Sequence, residues 1–171
     1  MNLSFPSGTT KEQVFNNVAL YLKQQQFNII KQDNTRPWGG FFVLDETQAE
    51  KFINTYFSHL KKEDLLIGDK LSPKFLLVGP QKRLSWQYHH RRAEIWKLIG
   101  GEAAVVTSDT DQEKAQHILK PGDIIQLKQG ERHRLVGTSQ WGVVAEIWQH
   151  TKPDHPSDED DIVRVQDDFG R

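Results

Sequence analysis

The residues best suited to chemistry lie in the stretch Gln87-Tyr88-His89-His90-Arg91-Arg92-Ala93-Glu94. Side chains at i and i+2 of a strand project from the same face, so Gln87 and His89 can point together into one interior. The polar residues His90 to Ala93 are enough to turn the chain, after which Glu94 can face the pair from the neighbouring strand. An amide oxygen, an imidazole nitrogen and a carboxylate oxygen converging on one point make a site for a divalent cation. In a second stretch, Gly122 to His133, the spacing of Gly122, Gly130 and His133 supplies a fourth ligand from a distant strand. This set carries one formal negative charge and leaves coordination positions open, as a Lewis-acid site requires. Arg92, two residues before Glu94, is expected to face the same interior and is the first candidate for touching a substrate.

Such ligands need strands to hold them. From Lys74 onward the chain reads as strand after strand with turn signals between, over residues 74–78, 83–89, 94–99, 103–107, 115–119, 124–127, 132–136 and 142–148. A further strand at 162–165 follows an acidic, proline-containing loop. That number of short strands suits an all-β fold, a single jelly-roll barrel. On the same alternation Glu146 faces inward, which makes it a candidate proton-transfer base; a metal-bound water is the other. Upstream, residues 9–32 read as one helix, capped by Thr9 or Thr10 and striped with Val14, Val18, Leu22, Phe27 and Ile30. Residues 48–60 read as a second helix with Phe52, Ile53, Tyr56, Phe57 and Leu60 on its apolar side. Residues 1–35 are therefore expected to be a helical extension packed on the barrel, and 36–171 the barrel itself, with a helical insertion at about 46–70.

Together the two ligand-bearing stretches resemble the paired motifs of the cupins, small double-stranded jelly-roll barrels. Gln87 stands where the usual motif has its first histidine, Gln81 where it has a leading glycine, Lys128 for a proline and Gly137 for a final asparagine. Further segments narrow the resemblance: Arg36-Pro37-Trp38-Gly39 with Val43-Leu44-Asp45-Glu46, Leu84 to His90 with Arg92-Ala93-Glu94, Gly130 to Leu135, and Glu159 to Arg164 with Asp168 to Arg171. In order and spacing they resemble the type II mannose-6-phosphate isomerase domain, which is often fused behind a sugar-phosphate nucleotidyltransferase. The likeness covers residues 36–171, and isomerases of this kind use a Gln-x-His pair, which accounts for Gln87. Arg91 for the family's third histidine, Ile95 for the histidine after the glutamate and Lys128 for proline are departures that bear on which sugar is used.

The resemblance implies a metal-dependent aldose–ketose isomerase of sugar phosphates, with mannose 6-phosphate and fructose 6-phosphate as the first pair. Gln87, His89, Glu94 and His133 would be the metal ligands, and the family implies Zn, although such a set of nitrogen and oxygen donors also accepts Mn, Fe, Co or Ni. Arg92 and Glu146 are the catalytic candidates, and Arg92, Arg36 and Arg164, then Lys97, the cations expected to meet the phosphate. The nucleotidyltransferase half has no counterpart here, so nucleotide-sugar chemistry is expected to need a separate chain. A homodimer is an expectation from the fold alone.

Formal net charge is −1 over 171 residues, which gives no global attraction to nucleic acid or an anionic membrane. There is no cysteine, hence no disulfide or thiolate metal site. The first ten residues lack the basic and apolar blocks of a signal peptide, and no apolar run approaches the ~20 residues of a spanning helix. The expectation is a cytoplasmic protein acting on a small sugar phosphate, with no nucleic-acid or membrane partner. Two competing classes are a non-catalytic cupin that binds sugars or sugar phosphates around a metal, and a metal dioxygenase, which would usually want a third imidazole at position 87.

Overall fold

The computed structural model describes residues 2–66 and 68–171; Met1 of the expected N-terminal extension and Ile67 of the expected helical insertion lie outside that range. Along the chain come α1 (Lys11–Gln24), β1 (Ile29–Asp33), β2 (Gly39–Leu44), a 3-10 turn (Glu46–Gln48), α2 (Ala49–Tyr56), α3 (Lys62–Leu65) and β3 (Lys74–Val78). They are followed by β4 (Trp86–Tyr88), β5 (Arg92–Ser108), β6 (His117–Leu119), β7 (Ile124–Leu127), β8 (Arg132–His150) and β9 (Val163–Gln166).

Two long strands replace the pairs of short ones read from the sequence. β5 runs through both 94–99 and 103–107, and β8 through both 132–136 and 142–148. Each bends in the middle, where the β5–β8 ladder shifts register between Leu98 and Gly100 and between Gly101 and Ala103. Gly101 sits at φ 68°, and a Cβ there would run into the carbonyl of Trp141, so the bend requires glycine. The bends let each strand serve two walls. One wall is β1-β2-β3 joined through the second half of β8 to the first half of β5 and then β7. The other is β9-β4 joined through the first half of β8 to the second half of β5 and then β6. The expected all-β jelly-roll barrel is what forms.

Strand alternation then sorts two cores. Leu76, Val78, Trp96, Leu98, Leu135 and Val144 fill the space between the walls. Phe75, Leu77, Ile95, Val143, Ala145 and Ile147 face the other way and pack beneath α1 and α2 through Val14, Val18, Leu22, Phe52 and Ile53. The helices thus shield the outside of one wall, and Ile95 is buried there, on the far face from the barrel interior.

The helix read over 9–32 is corrected. It starts as expected, with Thr10 and Gln13 in a reciprocal capping box. It stops at Gln24, because Gln26 takes φ 60° and the next N–H groups fold back: Gln26 N–H donates to the Lys23 carbonyl and Phe27 N–H to that of Leu22, both at 2.9 Å. This is a Schellman end, with Phe27 and Leu22 buried in the same apolar cluster, built on a glutamine where glycine is usual. The freed segment becomes β1, which pairs with β2, so the sheet begins before residue 36. A left-handed glutamine is strained, and Gln26→Gly is expected to stabilise the protein by about 0.5–1 kcal/mol. Thermal denaturation should show a rise of roughly 1–4 °C; a fall would contradict this account of the helix end.

Candidate metal centre

His89, Glu94 and His133 meet inside the barrel, with donor atoms all within 4.8 Å of one another. They come from both walls. Gln87 on β4 and His133 on β8 are cross-strand partners, and His89 follows directly after β4. Glu94 reaches across from the first half of β5, which pairs with Trp148 on the other wall. The expectation of a neighbouring strand is thus refined: β4 and β5 are consecutive in sequence but face one another across the interior.

Each imidazole is oriented by a main-chain carbonyl. His89 Nδ1 lies 2.6 Å from the Asp161 carbonyl oxygen and His133 Nδ1 lies 2.9 Å from that of Glu131. A carbonyl only accepts, so both Nδ1 atoms carry the proton and both Nε2 atoms keep a lone pair. Those lone pairs face the Glu94 carboxylate, at 3.2 Å for His89 and 3.4 Å for His133. Glu94 Oε2 and His133 Nε2 are buried with no hydrogen-bond partner among the described residues. Two unpartnered buried acceptors side by side are costly unless a cation lies between them. Ligands bonded at about 2.1 Å and roughly 90–110° apart would be separated by about 3.0–3.4 Å, so the three residues fit a divalent metal. Gln87 stands beside them, its Nε2 3.4 Å from His89 Nε2 and its Oε1 accepting from Ser85 Oγ at 2.5 Å. To serve as a ligand its amide must turn over, exchanging oxygen and nitrogen.

Arg92 faces the interior as its spacing predicts, but its guanidinium meets protein. Nε donates to Glu94 Oε1 at 2.7 Å, Nη2 lies 3.2 Å from His89 Nε2, and Nη1 donates to Ser157 Oγ at 2.8 Å and to the Asp158 carbonyl at 3.0 Å. The group also lies 3.6 Å from the Trp148 ring centroid. The structure therefore places Arg92 beside the candidate ligands, with its donors engaged, and not as a free cation awaiting phosphate. Burial disfavours the Glu94 carboxylate, but the Arg92 guanidinium bonded to it outweighs this and holds the carboxyl well below its ordinary pKa. Burial pushes the His89 pKa down, which favours the neutral, ligating form.

A cavity of about 320 Å³ opens from this centre. Gln87, Arg92 and Glu94 line it, with Trp38, Phe41, Trp96 and Trp148 as aromatic walls. Glu146 lines it too, at 4% exposure, and its two oxygens accept from the indole N–H groups of Trp96 at 2.8 Å and Trp148 at 2.9 Å. Burial, then the charge of Glu94, raises Glu146 to about 7, against the pull of Lys74 and Arg92. Arg36 and Arg164 line the cavity, as does Arg171, which the sequence did not single out. Burial first, then Arg171, lowers the pKa of Arg164, with Arg36 adding to the effect, so three guanidiniums crowd one region.

Lys97 is not brought to the cavity. Its parity in β5 is that of Ile95, and its Nζ donates to the Tyr56 carbonyl at 2.8 Å, under the helices. The period-two rule applied to Glu94 would have shown this. Lys74, by contrast, was missed. It lines the cavity, buried, with its ammonium paired to Glu159; its signal was the shared parity with Leu76 and Val78. Two departures from the motif also find reasons. The Lys128 N–H donates to Glu131 Oε2 at 2.8 Å, a bond that proline could not make. Arg91 turns to Asp158 and Asp161 on the C-terminal segment and, like Ile95, does not line the cavity.

His89→Ala and His133→Ala are each expected to lose stoichiometric Zn or Co binding in equilibrium dialysis while keeping the β-type circular dichroism. Full metal occupancy in either variant would show that the ligand set is wrong.

Comparison with known proteins agrees with this geometry. The family profile described as mannose-6-phosphate isomerase C-terminal matches residues 51–167. A mannose-1-phosphate guanylyltransferase of Escherichia coli K12 is 32% identical over 136 residues, covering 80% of this chain and 22% of that protein. The alginate biosynthesis protein AlgA of Pseudomonas aeruginosa is 27% identical over 136 residues, with 80% and 22% covered. The chain thus spans about a fifth of the length of the curated relatives it matches. Among solved structures, the capsular polysaccharide assembling protein CapF of Staphylococcus aureus aligns over 80% of this chain and 34% of its own, with a TM-score of 0.55 at 10% identity. Tomato vicilin aligns over 78% and 35%, with a TM-score of 0.53 at 16% identity. At those identities the likeness is one of fold. The profile match covers well over half the chain and spans both ligand-bearing motifs, so the chain belongs to the mannose-6-phosphate isomerase C-terminal family, on a cupin barrel.

Proposed function

We propose that this chain is a metal-dependent aldose–ketose isomerase of sugar phosphates, with mannose 6-phosphate and fructose 6-phosphate as the pair to test first. The observation that carries the reading is one cavity with two buried carboxylates whose pKa values are driven in opposite directions and four arginines along its lining, three of them away from the candidate ligands. Glu94 is held as the anion among metal-competent imidazoles, while Glu146 is poised to gain or lose a proton near neutrality. Pairs of carboxylates driven apart in this way divide the roles of binding and proton transfer.

His89, Glu94 and His133, with Gln87 once its amide turns, would hold the metal. A bound divalent ion, Zn by family and otherwise Mn, Fe, Co or Ni, supplies a Lewis acid for the sugar oxygens. Arg92 fixes Glu94 and His89 in position. Arg36, Arg164 and Arg171 receive the phosphate, since planar guanidiniums match its oxygens. The aromatic walls exclude water and pack against the sugar's C–H faces. Glu146, as carboxylate, removes the proton from the carbon next to the carbonyl and returns it to the adjacent carbon. Holding that proton between the two indoles keeps it close to both carbons.

Mannose 6-phosphate incubated with the metal-loaded protein should yield fructose 6-phosphate in a coupled spectrophotometric assay, and chelation should abolish the conversion until metal is restored. Glu146→Gln should lower kcat by about 10²–10⁴-fold. Because the base form of Glu146 predominates only above its raised pKa, the rate should climb as pH rises through about 7 and then level off. A bound cation shifts that inflection downward. A metal-loaded protein that binds the sugar phosphate without converting it would instead identify a binding module.

A further inference from the structure

Lys74 is the buried charge that the mechanism above leaves unused. It opens β3, and its register partner is Glu146 on β8, which is in turn opposite Trp96 on β5. The three side chains form one inward-facing row across the wall, and all three line the cavity. An ammonium at 4% exposure is costly and usually answers to a well-buried partner. Here the partner is Glu159, on the segment that follows β8, and its side chain is half exposed. Glu146 is not hydrogen-bonded to it; its oxygens accept instead from the two indole N–H groups. Among the described residues Glu159 is the one hydrogen-bond acceptor of Lys74, whereas an ammonium has three N–H groups to place. The Trp148 ring, 3.5 Å from Nζ to centroid, faces the ammonium from the side and can take one N–H, which leaves a further donor without a protein acceptor among the described residues. That donor is therefore available to a ligand in the cavity, one strand beyond the proposed base.

We propose that Lys74 is a second catalytic group of this cavity, its ammonium donating a hydrogen bond to the sugar oxygen that becomes anionic while Glu146 carries the proton between the adjacent carbons. The inference rests on the isomerase reading. In the first half-reaction the C–H electron pair moves into the new carbon–carbon double bond and the carbonyl π pair moves onto oxygen, where Lys74 meets the charge. In the second, the double-bond pair takes the proton from Glu146 at the former carbonyl carbon; the hydroxyl on the carbon that first lost its hydrogen becomes the new carbonyl, its proton passing to the adjacent oxyanion held by Lys74, and both residues end as they began. A donor aimed at charge that exists only in the transition state raises kcat and leaves ground-state affinity little changed.

The test uses the metal-loaded wild type with Lys74→Met and Lys74→Arg, each checked for metal content and thermal midpoint. Two ligands are compared by calorimetry: mannose 6-phosphate and the hydroxamate of the corresponding sugar-acid phosphate, a mimic of the planar enediolate. Lys74→Met should lose about 10²-fold in kcat and at least about tenfold in hydroxamate affinity, while KM and sugar-phosphate affinity move by less than about threefold. Lys74→Arg, which keeps the charge, should recover part of both losses and remains informative if the methionine variant does not fold. A wild type that turns over with Lys74 variants matching its kcat would overturn the assignment and leave the isomerase reading intact. A raised KM at unchanged kcat would also overturn it, since that describes a ground-state contact. A metal-loaded wild type that neither converts the sugar nor binds the hydroxamate would remove the isomerase reading, and this inference with it.

Discussion

Glu94 is 2% exposed, and a carboxylate in a barrel interior costs several kcal/mol unless positive charge and hydrogen bonds answer it. Much of the surrounding structure supplies that answer. Arg92 donates to one oxygen, whereas the lone pairs of His89 and His133, turned toward the carboxylate, add to the need for positive charge between them. The C-terminal segment then holds the arrangement in place. The Asp161 carbonyl orients His89, its carboxylate accepts from the N–H groups of His90 and Arg91, and Ser157 meets both Arg92 and Asp161. What remains unanswered is Glu94 Oε2 against His133 Nε2, and that gap is where a divalent cation fits.

The same carboxylate reaches beyond its own contacts. Its negative charge raises Glu146, while the tryptophans that flank Glu146 donate to both of that residue's oxygens. The bent strands β5 and β8 make this possible, because each contributes to both walls and so brings ligands from opposite sides onto one point. A straight pair of strands would hold Glu94 and His133 in one sheet, unable to face one another. The glycine at position 101, on the same strand as Glu94, is thus tied to the site through the bend.

The legible parts of the site were those with a short-range period. Gln87 and His89 share a face by i, i+2 spacing, Glu146 faces inward by alternation, and the glycine spacing before His133 marked its turn. Lys97 shows the same rule neglected, since its odd parity with Ile95 points it under the helices. Arg92 points as expected, yet its donors go to a loop some 65 residues later, which no local pattern reveals. Lys74 was hidden for a different reason: a lysine that opens an apolar strand reads as a solvated end, and only the loop carrying Glu159 closes over it. The helix over 9–32 was overextended because its stop is a glutamine at φ 60°, where glycine would have announced the break.

The central claim is that the His89–Glu94–His133 centre holds a metal whose open side faces a sugar phosphate in the cavity. The visible absorption spectrum of the Co(II)-loaded protein tests it most directly, because the d–d bands report the ligand set and any change in it. Stoichiometric cobalt with bands that shift on adding mannose 6-phosphate is the predicted result. Saturable sugar-phosphate binding with an unchanged spectrum, or the same spectrum in His133→Ala, would contradict the account.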